Sequence, residues 1–215
     1  MNVSSIDSPP AMRRLSQYIP LTAIVVAVIC WLFAVAELRI SEVMTIDPPV
    51  LWNPFTYVLP MVFHFSWEHF TGNIRLWIPF AIAFTLLTSD RHLLGLALTV
   101  NVLTVITGLA IGEYGVGLSS VVFGVIGATL VRSVGLAMQD ASMEALQTML
   151  LWVLTPALAG FFIVAVLGST IPGLPPIAHF SHLFGFLFGA AIEAIYVLDD
   201  HGDDSERSIP DHVGT

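Results

Sequence analysis

The sequence predicts an all-α membrane protein built from six transmembrane helices. The first observation is composition: 56% of the 215 residues are hydrophobic and only 11% are charged, against about 25% charged in an ordinary soluble domain. The second is that the apolar residues are gathered into blocks, each close to the ~20 residues a helix needs to cross a bilayer. The third is punctuation: glycine, proline and acidic residues fall between the blocks, as in Asp47-Pro48-Pro49 and Pro172-Gly173-Leu174-Pro175-Pro176. A soluble fold with this much Leu, Val, Ile and Phe would expose apolar patches too large to stay in solution.

The six blocks run Tyr18–Ala36, His69–Leu87, Leu93–Gly112, Ser119–Met138, Glu144–Leu167 and Ile177–Leu198. Residues 1–17 form a polar leader, residues 18–198 the membrane domain, and residues 199–215 an acidic tail expected to be disordered. The first block is not a cleaved signal: it follows a long polar leader, exceeds a signal core and lacks a small-residue cleavage pattern. The longest connection joins the first two blocks, and its aromatic run (Trp52, Phe55, Tyr57, Phe63) suits a segment at the membrane interface. A lone Cys30 excludes an internal disulfide.

Arginine sets the orientation, because the chain has no lysine. Arg13, Arg14, Arg91, Arg132 and Arg207 fall on one side if both termini are cytoplasmic, and only Arg39 falls outside. The net charge of −9 comes heavily from Asp199, Asp200, Asp203, Asp204, Glu206 and Asp211. That balance argues against nucleic acid as a partner and against a polybasic lipid site.

Polar side chains are costly inside a bilayer, so their placement points to function. His64, His69 and Asn73 stand at the start of the second block, Ser119 and Ser120 open the fourth, and His179 and His182 open the sixth. In the alternating topology these three starts share one depth, just below the outer surface. His69 and Asn73, four residues apart, lie about 40° apart around a helix and share a face. A serine facing a histidine is the minimum for nucleophilic catalysis, and His69 and Asn73 can donate hydrogen bonds to an oxyanion. Gly124 and Gly127 on the fourth block, with the G-x-x-x-G of Gly185 and Gly189 on the sixth, would let those two helices approach closely.

Three runs carry a family resemblance. Gly117-Leu118-Ser119-Ser120-Val121-Val122-Phe123-Gly124-Val125-Ile126-Gly127-Ala128 resembles the nucleophile helix of rhomboid proteases. His182-Leu183-Phe184-Gly185-Phe186-Leu187-Phe188-Gly189 resembles their base helix, and the H-x-x-x-x-H-x-x-x-N of His64 to Asn73 their second-helix signature. The resemblance implies a six-helix rhomboid core and an intramembrane serine endopeptidase with a Ser119–His182 dyad. It further implies an oxyanion hole from His69, Asn73 and the Ser119 backbone N–H, with Phe123 packed beside the base. Substrates would be single-pass transmembrane proteins, with the bilayer the other partner and no cofactor. The implied location is the plasma membrane of a prokaryote, active site toward the outer face. Two positions depart from the family pattern: Ser120 stands where glycine is usual, and Trp52 is followed by Asn53 rather than arginine.

Other chemistries fit less well. His64-Phe65-Ser66-Trp67-Glu68-His69 is neither H-E-x-x-H nor H-x-x-E-H, so no metal site is expected. Glu193 and Arg75 inside predicted helices are candidates for an ion path or for pairing with each other, but no duplicated half accompanies them. The alternative is a proteolytically inactive rhomboid-like protein that binds transmembrane clients.

Overall fold

The computed structural model describes residues 20–36, 53–112, 117–139 and 177–207, and all regular structure among them is helical. The elements are α1 (Leu21–Val35), a short α2 (Phe55–Val58) running into a 3-10 turn at Leu59–Met61, α3 (Trp67–Leu87), α4 (Asp90–Ile111), α5 (Ser119–Gln139) and α6 (Ile177–Arg207). Among the described residues α3 to α6 are long and apolar enough to cross a membrane. α1 is equally apolar, with Leu21, Ile24, Val28, Leu32 and Val35 forming an exposed stripe at helical spacing. Such lipid-ready faces make this an integral membrane protein. The leader, Trp52, the fifth block at Glu144–Leu167 and residues 208–215 lie outside the described residues.

Three of the boundaries that differ from the hydropathy reading do so for a local reason. α3 starts two residues early because Ser66, in extended backbone, accepts from the His69 N–H at 3.2 Å. Ser89 caps α4 in the same way, accepting from His92 N–H at 3.2 Å, so that helix begins at Asp90 rather than Leu93. Hydropathy does not see a polar first turn. At the other extreme, α6 does not stop at Leu198 but continues through the acidic residues to Arg207. Extending an existing helix is far easier than nucleating one.

α5 is the central helix. Within its membrane-length window 72% of residues are buried, against 28% for α3, 28% for α4 and 22% for α6. The Trp77 indole N–H of α3 donates to the Ala23 carbonyl of α1 at 2.9 Å, and Asp90 at the start of α4 accepts from the Thr22 N–H at 2.9 Å. α1 and α4 therefore begin at one end of the bundle. The aromatic connection folds inward: Thr56, Pro60, Met61, Val62 and Phe63 are buried, and Asn101 Nδ2 of α4 donates to the Tyr57 carbonyl at 2.7 Å. Phe55 and Phe65 remain outside it, exposed.

Candidate active site

α5 and α6 touch backbone to backbone. A Cβ on Gly185 would enter the Ser120 carbonyl, one on Gly189 the Gly124 carbonyl, and one on Gly127 the Phe186 carbonyl. The first two contacts pair residues in the same order along both helices, so the helices run parallel. His182, three residues before Gly185, thus stands level with the first turn of α5. There the Phe123 ring stacks on the His182 imidazole, with centroids 4.3 Å apart and planes 8° from parallel. Phe123 is buried, as is Ser119 at 8% exposure, while His182 is half-buried. Gly124 also faces α4, where the Val100 side chain fills the space a Cβ would need.

The second helix start arrives from the other direction. Gly117, with φ +115°, turns the chain into α5, and its N–H donates to the Pro60 carbonyl at 2.7 Å. A Cβ there would lie 2.7 Å from His69 Cε1, 3.1 Å from His69 Nε2 and 3.4 Å from Asn73 Nδ2. His69 and Asn73 therefore close on the backbone two residues before Ser119. Asn73 is buried, and among the described residues its Nδ2 has no hydrogen-bond partner, nor has His69 Nδ1. An uncommitted amide N–H such as that of Asn73, in the first turns of a helix, can hold developing negative charge, to which the helix dipole adds.

Gly117 is the residue that motif reading undervalues. It is quoted only as part of a run, yet the glycine two before the serine is what admits His69. We expect Gly117→Ala to cost about 1–3 kcal/mol through the left-handed backbone and the His69 contact together. It should also lower activity more than its effect on the unfolding midpoint explains; equal activity in a folded variant would show that the close approach is dispensable.

His64 sits behind His69, its Nδ1 3.2 Å from the Val62 carbonyl and its ring 5.2 Å from the His69 ring. Burial, then the neighbouring His69, push its pKa down from 6.5 to about 4, only partly offset by the Val62 carbonyl. Above pH 6.5 it is neutral folded or unfolded. Between about 6.5 and 4 the unfolded chain takes a proton that the folded site refuses, so stability falls as pH drops through that window. Comparing unfolding midpoints of wild type and His64→Phe across it should show a shallower slope in the variant.

The remaining candidates separate from this site. The His179 side chain lies outside the described residues. Arg75 is exposed and is not the partner of Glu193. Glu193, fully buried, pairs with Arg132 of α5, and His92 Nε2 of α4 lies 2.9 Å from its other oxygen without hydrogen-bond alignment. Spacing could not reveal that cluster, because its members sit on three different helices. Among the described residues no group of three or more His, Cys, Asp or Glu could hold a metal ion.

The family model described as Rhomboid domain matches residues 50–198, a span containing Ser119, His182, His69 and Asn73. Comparison with curated proteins gives no match.

Proposed function

The chain belongs to the rhomboid family, and from that premise we propose that it is a serine endopeptidase cleaving single-pass transmembrane proteins in or beside the membrane. Ser119 is the nucleophile and His182 its general base. The observation that carries this reading is the parallel glycine seam of α5 and α6, with the Phe123 ring stacked on His182 at the level of the first turn of α5.

The chemistry follows from these positions. Ser119 Oγ attacks the scissile carbonyl as His182 takes its proton. The resulting oxyanion is held by the Asn73 amide, the His69 Nε2–H and the Ser119 backbone N–H at the α5 start. Collapse expels the amine, protonated by His182, and leaves an acyl-enzyme. Water, deprotonated by the same imidazole, then releases the acyl product. Phe123 limits the imidazole to one plane, and the seam holds that plane level with the serine. In the topology that arginine placement favours, the dyad opens to the outer face of a prokaryotic plasma membrane, with both termini inside.

Labelling with a fluorophosphonate in detergent tests the reading. Wild type should take up the probe, and Ser119→Ala and His182→Ala, each shown to be folded, should lose uptake and cleavage of a transmembrane substrate by at least about a thousandfold. A folded wild-type protein that neither labels nor cleaves would be a client-binding member of the family instead.

A further inference from the structure

His64 is left unused by the reaction, yet its surroundings are specific. Its Nδ1 faces the Val62 carbonyl, which can only accept, so the hydrogen is on Nδ1 and Nε2 is the bare nitrogen. That Nε2 is buried without a hydrogen-bond partner among the described residues. The ring meets His69 in a T-shaped contact, centroids 5.2 Å apart and planes at 64°, and meets Phe70 the same way at 5.5 Å and 85°. Phe65 stacks on His69 as well, its ring 5.9 Å from the His69 ring and 16° from parallel with it. His69 itself is held at its backbone by the Ser66 cap. Among the described residues its side-chain Nδ1 has no hydrogen bond to set the ring.

We infer that His64 is a positioning residue for His69, fixing by ring contact the plane in which His69 Nε2 meets the Gly117–Ser119 backbone. A ring with no hydrogen bond at Nδ1 has only packing to orient it, and His64 and Phe65 supply that packing. The Val62 carbonyl in turn anchors His64. Burial, which holds the His64 pKa down at about 4, keeps this support uncharged at neutral pH. The inference rests on His69 acting in the oxyanion hole.

A double-mutant cycle on cleavage of a single-pass transmembrane substrate tests it. His64→Ala should lower kcat about tenfold with KM unchanged, the loss expected when a transition-state donor is misaimed. His64→Phe, which keeps the ring but not the Val62 bond, should recover to within about threefold of wild type. In a His69→Ala background His64→Ala should change kcat by less than about twofold, because the group it orients is gone. Unfolding midpoints of all variants accompany the rates. If the two alanine effects multiply, His64 acts on the fold at large and the inference is overturned while the oxyanion reading stands. If His69→Ala alone turns over at the wild-type rate, the oxyanion reading falls, and this inference with it. Should His64→Ala fail to fold, the same cycle run with His64→Asn, which lacks the ring, decides the question.

Discussion

Gly189→Leu should destabilise the protein by about 3 kcal/mol or more, the upper end of the range for overpacking a close contact. A Cβ at this position would fall on the Gly124 carbonyl and its own carbon, which is backbone and cannot swing aside. Relief requires the whole of α6 to move from α5, and that movement carries His182 away from the first turn of α5. Gly189→Ala should show the same defect in weaker form, since the Cβ alone collides. Two other glycines give the control. Gly72 and Gly95 have nothing within 4 Å of a would-be Cβ, so alanine there should be neutral or stabilising by up to about 1 kcal/mol from helix propensity. Thermal unfolding of the four variants in one detergent makes the comparison. Equal midpoints for Gly189→Leu and wild type would mean that the backbone seam does not hold the helices.

Glu193→Leu should cost a similar amount for an electrostatic reason. The carboxylate is fully buried, tied to Arg132 through one oxygen and near His92 through the other. Removing it takes from the Arg132 guanidinium of α5 its buried carboxylate partner, and breaking a buried ion pair from one side costs about 3–5 kcal/mol. The double variant Glu193→Leu/Arg132→Leu removes both charges and should recover most of the loss, because a buried ion pair is worth little against well-packed apolar residues. A double variant as unstable as the single one would assign the effect to packing rather than charge.

Much of the fold was legible because a membrane simplifies the code. Blocks of apolar residues mark helices without any knowledge of contacts, and they located α3, α4, α5 and the start of α6 to within a few residues. The ends were less legible. Ser66 and Ser89 add polar first turns that hydropathy discards, and α6 runs past Leu198 because helix propagation tolerates acidic residues that composition assigns to a tail.

The sequence by itself determined the membrane class, the family and the candidate residues, since Ser119, His182, His69 and Asn73 stand at fixed spacings within single segments. Only the tertiary structure decided which segments face one another. It made α5 the central helix, ran α6 parallel to it along glycines, and brought Gly117 against His69. It also gave Glu193 the neighbours Arg132 and His92, leaving Arg75, one candidate partner, apart from it. The reason is geometric. Periodicity along one chain reports which side of a helix is apolar, whereas the partner across a contact is fixed by packing between helices far apart in sequence.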